Sequence, residues 1–188
     1  MSESDGVPVS LRTARWYEGS SRDNFIHRSW MKRGLPDDAF SGKPMIGICN
    51  SASDLAPCNQ HLDDLADHVS RGIWEAGGVP LVFPVTSLGE TQIQPTAMLL
   101  RNLMAMDVEE SLRCNPLDGA VLLSGCDKTT PAMLMGAASV DLPAIMLTVG
   151  PMLTGRHRGR PLGSATDLWR MSEEVRAGLL SAEEFMET

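Results

Sequence analysis

The sequence predicts an α/β fold: a three-layer domain in which a mostly parallel sheet carries helices on both faces, preceded by an N-terminal arm. Three observations lead there. Short apolar runs alternate with stretches of helical periodicity over residues 43–150, in the order strand, helix, strand, helix, strand, helix, strand. The runs are continuously apolar, as strands buried on both faces are. The connections have the length of right-handed crossovers, which leaves few other topologies.

Residues 1–42 read as an arm and not as core. They are rich in Arg, Ser, Asp and Trp and lack sustained periodicity before the turn-like Gly34-Leu35-Pro36-Asp37-Asp38. Pro44-Met45-Ile46-Gly47-Ile48-Cys49 is the first strand. Leu62, Leu65, Ala66, Val69 and Ile73 then recur at helical spacing, and Gly77-Gly78 supplies the stop. Residues 79–85 form the second strand. The second helix is expected over 95–114, with Met98, Leu99, Leu103 and Met106 as its apolar stripe. Asp118-Gly119 turns into the third strand, 120–123. Thr130 and Pro131 make an N-cap and N1 pair for a third helix running through Ser139. Residues 142–147 are the fourth strand. A glycine-rich basic loop, 150–163, and an amphipathic helix over 172–188 complete the expected organisation: arm 1–42, α/β domain 43–150, loop and C-terminal helix 151–188.

Composition excludes several function classes. The chain is 188 residues long, 43% hydrophobic and 21% charged, as a soluble globular protein is. Sixteen Lys+Arg against 24 Asp+Glu give a net charge of −8, the opposite of a nucleic-acid footprint. No apolar run approaches the roughly 18–20 residues of a membrane helix. The start, Met1 to Asp5, is polar and acidic, so no secretory signal is visible and the cytoplasm is expected. In that setting the four cysteines are expected to be free, ligating or catalytic.

In a parallel sheet every strand leaves at the same edge, so the loops after successive strands are neighbours. These loops are Asn50 to His61, Thr86 to Glu90 and Ser124 to Pro131. They bring Cys58, Cys126, Glu90, Asp127, Lys128 and a helix N-terminus to one edge. Each group also has a plainer reading. A cysteine can be a small buried hydrophobe, which is the reading for Cys49 in a strand and Cys114 at a helix end. Glu90 can be a solvated loop acid, and Asp127-Lys128 a surface pair. The four histidines show no metal-ligand spacing, the twelve methionines read as core filler, and Arg156, Arg158 and Arg160 as a solvated loop.

The segments NSASDLAPCNQHL, GGVPLVFPVTSLGE and DGAVLLSGCDKTTPAMLMGA closely resemble the dihydroxy-acid and sugar-acid dehydratases. GCDKTTP is highly specific, and the resemblance runs from about Arg28 to the chain end, closer to the sugar-acid branch. The resemblance implies that Cys58 and Cys126 are two of three iron–sulfur ligands. It implies that Glu90 and Asp127 bind Mg²⁺, that Lys128 acts in catalysis and, carbamylated, as a further magnesium ligand, and that Thr129 contacts substrate. These residue types suit soft iron–sulfur and hard magnesium chemistry. Either [2Fe–2S] or [4Fe–4S] fits the resemblance. The implied reaction dehydrates a 2,3-dihydroxy or aldonic acid to a 2-keto acid, in a homo-oligomer. Family members are much longer and add a β-rich domain, so the resemblance implies an N-terminal segment, inactive on its own. The alternative is a non-catalytic folding or dimerisation module. The helix at Thr130 is further expected to lower the pKa of Cys126.

Overall fold

A computed structural model describes residues 10–150, 153–163 and 166–188, in two units that divide between Val149 and Gly150. The acidic start, with the rest of residues 1–9, and residues 151, 152, 164 and 165 lie outside the described residues. The first unit opens with α1 (Ala14–Tyr17) and α2 (Arg22–Met31). It continues through β1 (Met45–Asn50), α3 (Leu62–Glu75), β2 (Val79–Pro84) and α4 (Met98–Cys114). It ends with β3 (Gly119–Ser124), α5 (Thr129–Val140) and β4 (Ala144–Thr148). All four strands are parallel, in the order β2-β1-β3-β4. The α/β expectation therefore holds.

The pleat sorts the strand residues onto two faces. Cys49, in register with Phe83 and Leu122, faces α4 and α5 together with Ala120 and Met146. Ile48 and Leu123 face α3, against Leu62, Ala66 and Val69. These faces make the three layers. Gly77 (φ +85°) ends α3 as expected, with Gly78 N–H donating to Ile73 O and Gly77 N–H to Trp74 O. From β1 the chain crosses to β2 and from β3 to β4 in the opposite direction, so the strand order reverses between β1 and β3. The loops after these two neighbours leave the carboxyl edge at that point.

Two readings of the helices in this unit need correction. The expected stripe of α4, Met98, Leu99, Leu103 and Met106, is exposed; Met104, Ala105, Val108 and Leu112 face the core instead. The helix is apolar on both sides, so periodicity offers two stripes, and packing against α5 selects one. Gly136 of α5 permits that packing, since a Cβ there would lie 2.6 Å from Ala105 O and 2.7 Å from Val108 Cβ. Gly136→Val is expected to cost about 1–3 kcal/mol, because the blocking atoms include backbone. Urea denaturation checks it against Gly72→Ala, where a Cβ meets nothing within 4 Å and about 0.5–1 kcal/mol should be gained. The third helix begins at Thr129, with Lys128 at the N-cap position, and not with a Thr130 cap. Thr130 Oγ1 is hydrogen-bonded to Ser124 Oγ at 2.7 Å instead.

The described part of the arm contributes core, contrary to its sequence reading. Tyr17 and Ala39 are buried with Met45 and Val79. Asp118, just before β3, accepts from Thr13 N–H (2.9 Å), Thr13 Oγ1–H (2.7 Å) and Met45 N–H (2.8 Å). Arg12 donates to the carbonyls that close α4, Leu112 at 3.1 Å and Arg113 at 2.5 Å, where a cation suits the helix C-terminus. One carboxylate and one guanidinium thus replace the apolar periodicity that a sequence scan looks for.

In the second unit the glycine-rich stretch forms an antiparallel hairpin, β5 (Gly155–His157) and β6 (Arg160–Leu162). Its two turn residues, Arg158 (φ +48°) and Gly159 (φ +81°), have the positive φ pair that a tight hairpin requires. The expected helix over 172–188 is two helices. α6 (Thr166–Arg176) starts earlier and stops before Gly178 (φ +71°), and α7 (Ala182–Met186) restarts at a Ser181–Glu184 capping box. Arg158 pairs with Glu184 at 2.6 Å and is not simply solvated.

Candidate functional site

Three loops build the carboxyl edge of the sheet. After β1, Pro57–Asn59 make a single 3₁₀ turn, with Pro57 at its start and Asn59 N–H donating to Ala56 O at 2.7 Å. The turn leaves Cys58 exposed and buries Asn59 completely. After β2, Leu88 is buried and Glu90 reaches the surface. After β3, Gly125 and Cys126 lead into α5.

Glycines let these loops close on one another. A Cβ on Gly125 would sit 2.6 Å from Cys58 O, from Asn59 Oδ1 and from Val149 Cγ2. A Cβ on Gly89 would sit 3.1 Å from Leu55 O. The β1 loop therefore rests on the backbone of both other loops, and Asn59 Nδ2–H donates to Ser87 Oγ at 2.7 Å to tie it to the second.

Lys128 gathers the carboxylates. Its Nζ lies 2.7 Å from Asp127 Oδ2 and 3.3 Å from Glu90 Oε2. Its side chain is 14% exposed, against 66% for Asp127 and 45% for Glu90, so the stem is covered while the ammonium reaches the two acids. The hydrogen bond from Lys128 holds Asp127 below the usual carboxylate range. Asp127 in turn, and Glu90 less so, push Lys128 up. The pair joins residues from two loops, which makes it more than a sequence-local contact.

Cys126 is half-buried beside this group, its Sγ donating to Asp127 Oδ1 at 3.3 Å. Burial raises its pKa; the Lys128 backbone N–H opposes this, and Asp127 and Cys58 add to it. The expected lowering by the helix terminus is thus overturned, because desolvation outweighs the N–H contribution. Gly125, the residue before Cys126, packs against Cys58 O, so the two cysteine-bearing loops lie side by side. Thr129, fully buried, accepts from Cys126 N–H (3.0 Å) and donates to Cys126 O (3.1 Å), closing the turn that presents the thiol.

The five residues singled out for this edge, Cys58, Glu90, Cys126, Asp127 and Lys128, therefore come together there. They do so as linked pairs. Among the described residues no group of three or more His, Cys, Asp and Glu could hold a metal ion by itself. The thiol donors are Cys58 and Cys126, the oxygen donors Glu90 and Asp127. Of the remaining cysteines, Cys49 is buried as read, its thiol pushed up to about 12 by burial and then by Asp107. Cys114 is exposed, and its Sγ donates to Glu110 O at 2.6 Å. Sequence reasoning missed Asn59 and Ser87, whose signal was no more than a polar residue in a loop that follows a strand. No described helix is long and apolar enough to cross a membrane.

Comparison with known proteins bears directly on these loops. Residues 43–188 match the family described as dihydroxy-acid/6-phosphogluconate dehydratase N-terminal. The chain is 56% identical over 181 residues to an L-arabinonate dehydratase of Rhizobium leguminosarum bv. trifolii, covering 96% of this chain and 31% of that protein. It is 54% identical over 177 residues to an L-arabonate dehydratase of Azospirillum brasilense, covering 94% and 30%. It is 41% identical over 189 residues to a D-xylonate dehydratase of Caulobacter vibrioides, covering 98% and 32%. The chain thus spans about a third of the length of the curated relatives it matches. With its parallel sheet, its GCDKTTP turn and this run of similarity, the chain belongs to the dihydroxy-acid/6-phosphogluconate dehydratase family, of which it carries the N-terminal region.

Proposed function

We propose that this chain forms the iron–sulfur and magnesium part of a hydro-lyase that converts a 2,3-dihydroxy sugar acid to a 2-keto acid. The single observation that carries the reading is the Lys128 ammonium held between Glu90 and Asp127, beside Cys126 and Cys58, at the point where strand order reverses. The names of the relatives, which act on arabinonate and xylonate, support the substrate class.

The donor set suits both groups. Cys58 and Cys126 would supply thiolates to an iron–sulfur cluster. Glu90, Asp127 and Lys128, as its carbamate, would supply oxygens to Mg²⁺. Bound there, the two groups supply Lewis acidity toward the hydroxyl that leaves and the carboxylate that stays. The residues of the chain do the positioning. The two acids already converge on one positive centre, the geometry a hard cation asks of them once the lysine charge is removed. The thiol of Cys126, raised by burial, is protonated near neutrality and would release its proton on metal binding. Thr129 would meet substrate through the backbone at the start of α5, its hydroxyl being taken up by Cys126. A homo-oligomer working in the cytoplasm completes the reading.

The test is anaerobic reconstitution, with iron, sulfide and Mg²⁺, of a polypeptide spanning the full length of the relatives and carrying this region. Visible absorption from iron–thiolate bonds is expected, together with keto-acid formation from arabinonate or xylonate. A colourless protein that folds, self-associates and turns over neither acid would instead support the non-catalytic module.

A further inference from the structure

We propose that Asn59 is a positioning residue that sets the placement of Cys58 relative to Cys126 and to the Glu90 loop, a role that deepens the reading above and rests on it. Asn59 is fully buried at the junction of all three loops. Its Nδ2–H donates to Ser87 Oγ at 2.7 Å, three residues before Glu90. Its Oδ1 lies where a Gly125 side chain would begin, next to Cys126, and has no hydrogen-bond partner among the described residues. Its own backbone follows Cys58 in the 3₁₀ turn.

A buried amide with an unpartnered oxygen is a poor choice for filling space. A leucine, with the same branched side-chain skeleton, would fill it without the desolvation penalty of an unmade hydrogen bond. What leucine cannot supply is the directed link to Ser87. Without that link the turn is held by apolar contact alone, and apolar contact is non-directional. Groups that orient metal ligands from behind act in this way, through fixed hydrogen bonds and not through contact with the reaction.

The experiment uses phenylarsine oxide, which must bridge two thiols, on the reduced, metal-free full-length protein. Wild type is expected to capture the arsenical, and Cys58→Ser and Cys126→Ser to lose capture. Asn59→Leu is expected to fold and yet weaken capture by about 10- to 100-fold, with Asn59→Asp, which can still accept from the Ser87 hydroxyl, recovering part of it. Ser87→Ala is expected to weaken capture in the same direction, and it carries the test if Asn59→Leu does not fold. Capture by a folded Asn59→Leu or by Ser87→Ala that matches wild type would overturn the proposal, as would a wild type that captures nothing. Loss of cluster absorption and of keto-acid formation in wild type would sink the dehydratase reading alone, since arsenical capture needs neither cluster nor turnover.

Discussion

Lys128→Met is expected to lower keto-acid formation in the reconstituted full-length protein by about 10²- to 10⁴-fold, the range set by loss of a positioned catalytic group. The substitution removes the cation that pairs with both Glu90 and Asp127 and leaves the two carboxylates without it. It keeps the apolar stem, so the fold should survive. Exposed ion pairs add little to stability, so a loss of this size would report chemistry and not unfolding. The pH dependence separates the two further. Asp127 is depressed in the folded state, so its contribution to stability is present above its unfolded pKa of about 4 and is lost as pH falls through the folded value. Lys128 is raised, so its contribution is present below its unfolded pKa of about 10.4 and is lost as pH rises through the folded value. The gap in melting temperature between wild type and variant should therefore be small between these limits and close at both ends. Lys128→Arg is not expected to rescue turnover, since a guanidinium differs from an amine in shape, hydration and reactivity. Turnover by Lys128→Met within tenfold of wild type would remove Lys128 from the mechanism.

Gly125→Val is expected to cost about 1–3 kcal/mol of stability and, in the same molecule, to drive Cys58 away from Cys126. The new Cβ would fall 2.6 Å from Cys58 O, Asn59 Oδ1 and Val149 Cγ2 at once. Two of these are oxygens of the β1 loop, and one belongs to the backbone, so no rotamer change relieves the contact. The loop must lift or β3 must shift. Urea denaturation reads the first effect, and phenylarsine oxide capture reads the second. A variant with wild-type values for both would show that the loops yield freely, and the close approach at Gly125 would then have no part in holding the thiols together.

How much of this was legible beforehand follows from what kind of pattern each feature leaves. Continuous apolar runs and helical spacing mark the four strands and the helices between them. Parallel order then brings Cys58, Glu90 and the Cys126–Lys128 run to one edge without any knowledge of their contacts. Gly77 as a helix stop was legible for the same reason, since its conformation is local. The arm was not. Its attachment rests on Thr13 and Arg12 reaching Asp118 and the end of α4 across about a hundred residues, and polar long-range pairs leave no periodicity.

Fold class, the strands' common edge, the family and the chemical groups that meet at the site are all written in the residue pattern. These depend on hydrophobic pattern and local conformation, which each residue carries with it. Packing settled the rest. It chose Met104, Val108 and Leu112 over Leu99 and Leu103 as the core face of α4, because two apolar stripes compete and only one can fit against Gly136. It raised the thiol of Cys126, against the pull of the helix terminus, because desolvation depends on everything packed around the sulfur. It buried Asn59 where three loops meet, because a hydrogen bond and a close backbone approach are properties of pairs of residues that the chain brings together only when it folds.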